Sequence, residues 1–304
     1  MQHSCKNNQP FIPTLRLSIT DKCYGICSFC HREGQNTCCS DNQMSIETIE
    51  EQIIPAVNAI GIRKVILTGG EPTLHPELAS IARSLKISCP AVQIGITTNG
   101  SNTIALHQAS PFLDKITISI SSYKSSVYMR YTRIDPFELI KTINRLQIKN
   151  KAASIVITED NFDEVITLVM DLLRQEYEVK LQFVIGNESI DDTHKYKLFH
   201  LLCNKLGRYD IKIESTPVVC WQGDNNTVVR FKLATLNRFI YNNFAHRKVC
   251  INCDCKNECI ERGCAIRVHP DGIVSPCLDN HIIYNEFGIK RCLERAYADM
   301  EIVQ

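Results

Sequence analysis

Short apolar runs alternate with longer amphipathic stretches from Thr14 to about Ile185. β-branched residues are frequent in the short runs, which is typical of strands, and the longer stretches repeat their apolar residues with a helical period. The predicted strands are Leu15–Thr20, Lys64–Thr68, Val92–Thr98, Ile116–Ser121, Ala153–Ile157 and Lys180–Ile185. The predicted helices are Ser45–Ile60, Pro76–Lys86, Pro136–Asn150 and Phe162–Glu176, the last with Asn161 as its N-cap.

Alternating strands and helices predict an α/β fold with parallel strands and right-handed crossovers. Six such units form a partial (β/α)6 TIM barrel, whose strand ends gather a site at one face. After Ile185 the pattern changes to one helix, two strands and an amphipathic stretch, predicted at Asp191–Leu206, Ile211–Glu214, Val228–Phe231 and Leu236–Phe244. We therefore expect a barrel over residues 14–190, a bridging segment over 191–245 and a small cysteine-rich α+β domain over 246–304.

Composition excludes several classes of protein. The chain has 304 residues, 44% hydrophobic content and a net charge of +1, so no strong field favours nucleic acid or a membrane surface. No apolar run reaches the ~20 residues of a membrane span, and no export signal opens the chain. We expect a cytoplasmic protein. Sixteen cysteines in a chain with no export signal argue against a disulfide framework.

Three cysteines follow the first predicted strand with C-x3-C-x2-C spacing, at Cys23, Cys27 and Cys30. Thiolates this close repel one another unless a cation shares their charge. Zinc is one solution, with His31 as a possible fourth ligand, and an iron–sulfur cluster is the other.

A second set of cysteines lies near the carboxyl terminus, at Cys250, Cys253, Cys255, Cys259, Cys264 and Cys277. Asp271-Gly272, flanked by apolar alternation, predicts a hairpin that brings Cys264 close to Cys277. Zinc and a second iron–sulfur cluster both suit these residues.

The first cysteine motif, together with Gly69-Gly70-Glu71-Pro72 after the second strand, resembles the radical S-adenosylmethionine (SAM) superfamily. That resemblance implies an oxygen-sensitive [4Fe–4S] cluster on Cys23, Cys27 and Cys30, with one iron open to SAM. The reduced cluster then splits SAM into methionine and a 5′-deoxyadenosyl radical. It also implies an external electron donor such as flavodoxin or ferredoxin.

The resemblance further implies which residues contact SAM. These residues are Phe29, Gly69, Gly70, Glu71, Pro72, Thr98, Asn99 and Ser119. From the residues alone, the glycines allow close backbone approach, Asn99-Gly100 is a turn, and Ser119 is a hydroxyl at the edge of a sheet.

Within the superfamily the chain resembles the molybdenum-cofactor GTP cyclase (MoaA) family, through Leu15–Asp21, Asn161–Glu164 and Arg267–Gly272. Its cysteine-rich segment resembles SPASM/twitch extensions. These resemblances imply that Arg16 and Arg267 bind substrate. They also imply a second [4Fe–4S] cluster, with ligands drawn from Cys250, Cys253, Cys259, Cys264 and Cys277; either Cys255 or Cys264 is the spare thiol.

Four departures from the MoaA pattern argue against GTP cyclisation. Cationic positions of the MoaA family fall here on Ile66, Thr158 and Ala265, and the terminal Gly-Gly of that family is absent. A triphosphate needs several cations or backbone donors. The main hypothesis is a radical SAM enzyme that takes a hydrogen from another small molecule, a nucleotide or nucleoside. Two alternatives stay open: a radical SAM enzyme that modifies a peptide, and a non-catalytic zinc-binding protein.

Overall fold

The computed structural model describes residues 14–31, 41–124, 128–129, 132, 134–184, 190–213, 217–223, 227–232, 246–250, 265–278, 282–300 and 302–303. None of the helices in these ranges has both the length and the apolar character needed to cross a membrane.

The strands, numbered along the chain, are β1 Thr14–Thr20, β2 Lys64–Gly69, β3 Gln93–Thr98, β4 Lys115–Ser119, β5 Asn150–Ile157, β6 Glu178–Phe183, β7 Tyr209–Ile213, β8 Pro217–Gln222, β9 Val228–Lys232, β10 His246–Arg247, β11 Ala265–Val268, β12 Val274–Ser275 and β13 Ile302–Val303. The α-helices are α1 Ile46–Thr48, α2 Ile54–Ile60, α3 Leu78–Ser88, α4 Thr103–Ala109, α5 Pro136–Arg145, α6 Val165–Arg174, α7 Asp192–Leu206 and α8 Ile289–Ala298.

One sheet of eleven strands runs through the molecule in the order β12-β11-β1-β2-β3-β4-β5-β6-β9-β8-β7. Strands β1 to β6 are neighbours in chain order and pair in parallel, which confirms the predicted α/β partial barrel. The sheet is not closed. Instead the β11–β12 hairpin extends it beyond β1, and β9, β8 and β7 extend it beyond β6. Strands from all three predicted segments thus belong to the same sheet.

The two faces of the barrel strands differ sharply in chemistry. Leu15, Leu17 and Ile19 alternate along β1 and are fully buried in the apolar core. Arg16 and Ser18 lie between them and therefore point to the opposite, inner face. An apolar outer face under the helices and a polar inner face are what an open barrel with an internal site requires.

A wide π-type turn at Ile49–Ile53 joins α1 to α2. Pro55 follows it in the first turn of α2. Proline has no backbone N–H and its ring crowds the preceding turn, so the local widening has an identifiable cause. The helix ends at Gly61, whose φ of 75° suits a residue without a side chain.

Several predicted boundaries differ from the structure. The helix predicted over Pro136–Asn150 ends at Arg145, because Leu146 is extended and Asn150 already belongs to β5. Sequence periodicity also missed α4 and β8. Both are short, and neither carries enough repeats to stand out. The amphipathic stretch Leu236–Phe244 lies outside the described residues.

Asn161 has a different role from the one predicted. It is not the N-cap of α6; its side chain closes a capping box with Thr158 at a preceding 3-10 turn. Its Oδ1 accepts from Thr158 N at 2.8 Å, and its Nδ2 donates to Ser121 O at 2.7 Å and Val156 O at 2.8 Å. This buried side chain ties the loop after β4 to the end of β5.

We expect Asn161→Ala to lower the free energy of unfolding by about 2–4 kcal/mol, because it leaves buried backbone groups without hydrogen bonds. Chemical denaturation measures the change. The matched control is Asn58→Ala, whose amide bonds Ser88 O at the surface at 3.3 Å. If both variants lie within about 0.5 kcal/mol of the wild type, the role assigned to Asn161 is wrong.

Candidate metal centre and cofactor site

The loop after β1 carries the first three cysteines at the carboxyl ends of the parallel strands. Cys23 and Cys30 are exposed, Cys27 is half-buried, and none of the three is in a disulfide. Cys30 N donates to Cys27 O at 3.1 Å, and Gly25 N donates to Cys23 Sγ at 3.3 Å. These bonds form two tight turns within the loop, one at Cys23–Gly25 and one at Cys27–Cys30.

Electrostatic interactions among the thiols contribute to raised pKa values at Cys23 and Cys27. Burial, followed by the neighbouring Cys30 and Cys23, raises the pKa of Cys27 to about 12. Burial also raises the pKa of Cys23, with smaller contributions from Glu71 and Cys30. Forming three thiolates here needs positive charge, and soft sulfur donors favour zinc or iron–sulfur centres.

The described residues do not form a site in which several side chains surround a single metal ion. Among them, no three His, Cys, Asp or Glu side chains converge on one point that could hold a metal ion, and His31 is exposed beside Cys30. A cluster spreads its thiolates over different irons, whereas one zinc ion draws all its ligands to about 2.3 Å. Three thiols with mutual electrostatic effects need a cation to become thiolates, which suits either centre.

The Gly69-Gly70 turn at the end of β2 packs directly against this loop. Gly70 N donates to Thr20 O at 2.7 Å, and Glu71 N donates to Lys22 O at 2.8 Å. A Cβ on Gly70 would lie 2.5 Å from the carbonyl oxygens of Asp21 and Lys22. The close backbone approach inferred from sequence is thus present, and its partner here is the chain itself.

Glu71 joins the ends of β2 and β3. Its side chain is 1% exposed and accepts from Thr73 N at 3.0 Å, from Thr73 Oγ1 at 2.7 Å and from Asn99 N at 2.7 Å. Thr98 Oγ1 also donates to it. Burial raises the pKa of Glu71, and these four hydrogen bonds oppose the rise. Glu71, Thr98 and Asn99 therefore form one rigid network beneath the predicted cofactor site.

The other predicted SAM contacts occupy the same end of the barrel. Phe29 is half-buried beside Cys30, and Pro72 opens the 3-10 turn Pro72–Leu74. Ser119 is the last residue of β4, and its carbonyl accepts from the Tyr128 hydroxyl at 2.7 Å. Sequence reasoning missed Tyr128, because no periodic pattern or motif marks this buried residue.

Arg16 and Arg267 are brought together by the sheet. They are register partners on β1 and β11, and Ile66 of β2 is the next partner of Arg16. Register partners share a face, so both guanidinium groups lie on the inner face of the barrel. Arg16 Nη2 donates to Thr68 Oγ1 at 3.3 Å, and Arg267 Nη1 donates to Ala265 O at 3.4 Å.

Ser18 is a further inner-face residue that sequence reasoning missed. It is 1% exposed, and its Oγ has no hydrogen-bond partner among the described residues. A Cβ on Gly69 would lie 3.0 Å from that oxygen. A buried hydroxyl without a partner costs free energy, so it marks a wall suited to a polar ligand. Its alternation with Leu17 and Ile19 was the signal available in the sequence.

The second cysteine set is described only in part. Cys250 and Cys277 are half-buried, and neither is in a disulfide. Cys253, Cys255, Cys259 and Cys264 lie outside the described residues. The predicted hairpin is confirmed, since β11 and β12 pair antiparallel and Gly272 adopts a φ of 86° in the turn.

Comparison with known proteins gives relatives of one kind. The Radical SAM superfamily matches residues 17–172. A probable GTP 3',8-cyclase of Thermococcus kodakarensis is 37% identical over 131 residues, 42% of this chain and 41% of that protein. One from Sulfurisphaera tokodaii is 27% identical over 284 residues, 88% of this chain and 81% of that protein. Several curated relatives are matched over only 41% to 53% of their own length.

Solved structures share the fold at low identity. SuiB of Streptococcus suis, bound to the precursor peptide SuiA, has a TM-score of 0.66 at 14% identity, covering 95% of this chain and 65% of that chain. The protein anSMEcpe with bound AdoMet has a TM-score of 0.60 at 14% identity, covering 93% of this chain and 79% of that chain. The likeness therefore extends over nearly the whole chain.

We expect Gly70→Ala to displace the cysteine loop, because its Cβ would collide with two backbone carbonyl groups that cannot rotate away. The free energy of unfolding should fall by about 1–3 kcal/mol, and iron bound by protein purified without oxygen should fall with it. Gly95→Ala is the control, since its Cβ would meet neighbours only at 3.6 Å or more. Equal iron content and stability in the two variants would show that the turn does not hold the loop.

Proposed function

This chain belongs to the radical SAM superfamily of enzymes, and on that premise we propose that it cleaves SAM reductively and takes a hydrogen atom from a small-molecule substrate, a nucleotide or nucleoside. Membership implies a [4Fe–4S] cluster and SAM. The observation that carries the proposal is the cysteine loop, which two backbone bonds from Gly70 and Glu71 hold against the end of β2.

In this proposal Cys23, Cys27 and Cys30 hold the cluster. When bound and reduced, the cluster supplies the electron that splits SAM and so delivers the 5′-deoxyadenosyl radical. The residues of the chain position the ligand and exclude water and oxygen from the inner face. An external electron donor such as flavodoxin or ferredoxin completes the proposal.

The network around Glu71 supports the cofactor site. The four hydrogen bonds to the Glu71 carboxylate hold the ends of β2 and β3 in place. We therefore propose that Glu71, Thr98 and Asn99 position the backbone around the SAM site. The proposed SAM contacts remain Phe29, Gly69, Gly70, Glu71, Pro72, Thr98, Asn99 and Ser119.

A second cluster is part of the proposal. Its ligands would come from Cys250, Cys253, Cys259, Cys264 and Cys277. Strand β11 pairs with β1 in parallel, beginning with Thr14 opposite Ala265. Strand β12 runs antiparallel to β11, so the chain after β12 leads Cys277 back toward the Thr14 end of β1. The first cysteine loop begins beyond Thr20, about 20 Å along the same strand. Arg16 and Arg267 lie between the two proposed clusters, where a substrate would be within reach of both.

The substrate class follows from those two arginines. Paired guanidinium groups bind phosphate or carboxylate groups well. Ile66 is the register partner of Arg16 on β2, so the inner face has no cation at this position beside the two arginines. Relatives are named GTP 3',8-cyclases. We therefore propose a nucleotide or nucleoside substrate other than GTP, or a reaction on it other than cyclisation.

Peptide modification is the second candidate. It is favoured by the likeness to SuiB, which was solved with a precursor peptide and is similar over 95% of this chain. An open sheet leaves space for an extended substrate as well as for a small molecule.

Cluster binding and SAM cleavage are tested by a triple variant, Cys23→Ala, Cys27→Ala and Cys30→Ala. We expect about eight irons per wild-type chain and about four in the variant, with loss of 5′-deoxyadenosine formation under strong reductant. The control replaces Cys89, Cys203 and Cys292 by alanine. Undiminished SAM cleavage by the first variant would refute the assignment, and zinc without iron in the wild type would favour the non-catalytic alternative.

Substrate class is tested by anaerobic incubation with SAM, reductant and a panel of nucleotides and nucleosides. We expect a modified product with at least one of them, and Arg16→Ala should lower kcat/KM about tenfold or more by removing a charged contact. Arg63→Ala, on the exposed surface, is the control. No product from any nucleotide or nucleoside, with turnover of a peptide, would reverse the order of the two candidates.

A further inference from the structure

The inner face of the barrel carries a group of charged side chains away from both cysteine sets. Lys115 Nζ on β4 lies 2.5 Å from Glu178 Oε2 on β6. Arg230 Nη1 on β9 pairs with the other oxygen, Glu178 Oε1. One carboxylate is therefore shared by two cations, and each of its oxygens is already taken.

Lys180 adds further positive charge to this group. It lies two residues after Glu178 on the same face of β6, and no ion pair to it is found within the described part of the chain. Burial, then Lys115, lowers the pKa of Lys180 to about 8; Lys64 and Arg230 add to the fall, and Glu178 opposes it. Lys115 and Arg230 thus share the carboxylate of Glu178, and Lys180 lies close enough to feel the charge of all three.

Lys180 and Arg230 belong to a row of register partners that begins at the proposed cofactor site. Ser119, Ser154, Lys180 and Arg230 are successive partners across β4, β5, β6 and β9. Strands in a sheet are about 4.8 Å apart, so Lys180 is roughly 10 Å from Ser119, which we proposed as a SAM contact. That span matches a small substrate held between the radical and the cations.

The row lies on the inner face of the sheet and not against the helices. Its flanking neighbours on the opposite face, Ile118, Ile155 and Leu181, are buried in the apolar core. Ser119, Ser154 and Lys180 are each partly accessible. A ligand that reaches Ser119 on this face can therefore also reach Lys180.

We propose that Lys180, with Arg230 and Ser154, binds an anionic group of the substrate, either a phosphate or a carboxylate. Such a group supplies the negative charge that Glu178 alone does not, and Ser154 can donate a neutral hydrogen bond to it. The inference deepens the proposed function, because it requires the substrate to be an anion and disfavours an uncharged nucleoside.

The test measures binding without turnover. Holoenzyme purified without oxygen is titrated calorimetrically with inorganic pyrophosphate and, separately, with citrate. We expect the wild type to bind at least one of them, and Lys180→Met to weaken binding tenfold or more, which is about 1.4 kcal/mol. Lys180→Arg should retain most of the affinity. Lys141→Met, on the exposed face of α5, is the matched control and should not change it.

Comparing the two anions identifies which anionic group the substrate carries. Preference for pyrophosphate indicates a phosphate group on the substrate, and preference for citrate indicates carboxylates. Wild-type affinity should fall as the pH rises through about 8, where Lys180 loses its proton, while Lys180→Arg should show no such fall.

Absence of binding by the wild type, or equal affinity in Lys180→Met, overturns the proposal. If Lys180→Met does not fold, Ser154→Ala takes its place, and unchanged affinity in that variant also overturns it. No SAM or reductant is present, so the outcome is independent of SAM cleavage. A protein that binds the anion but never cleaves SAM would refute the proposed function and leave this inference standing.

Discussion

The backbone contact between the end of β2 and the start of the cysteine loop is the constraint on which the site depends. Gly70 and Glu71 donate to the carbonyl groups of Thr20 and Lys22, and nothing larger than glycine fits at the closest point. A loop with three thiols would otherwise spread, because burial and mutual repulsion disfavour their charged forms. The two backbone bonds attach the start of this loop to the end of β2.

Glu71 extends that constraint to a third strand. Its carboxylate is satisfied by donors from Thr73, Thr98 and Asn99, so the ends of β2 and β3 form one unit. A buried carboxylate with four donors is costly to disturb, since each lost bond leaves a buried charge less well solvated. This explains why a motif that resembles a ligand-binding turn is also a structural joint.

Charge separates the inner face of the barrel from its outer face. Aliphatic residues of β1 to β6 pack outward, whereas arginine, lysine and serine residues line the interior. Barrel interiors in many proteins are filled by apolar side chains. Here Lys115, Lys180 and Arg230 are partly accessible, and two of them share the carboxylate of Glu178. Positive charge on this face favours an anionic ligand over an uncharged one.

The sequence by itself determined the six parallel strands and the spacing of the first three cysteines. Alternation of apolar residues is a local property, and ligand spacing such as that of Cys23 to Cys30 is readable without coordinates. The hairpin at Asp271-Gly272 was equally local. Helix ends were less secure: Leu146 continues the apolar pattern of α5 although its backbone is already extended.

Only the tertiary structure decided which distant residues meet. Arg16 and Arg267 become neighbours because β11 joins the sheet beside β1, and Lys115, Glu178 and Arg230 meet through pairing of β4, β5, β6 and β9. Strand order across a sheet depends on long-range packing, which no local period encodes. The spacing of the first three cysteines was therefore readable in the sequence, while the grouping of charged residues on the inner face required the assembled sheet.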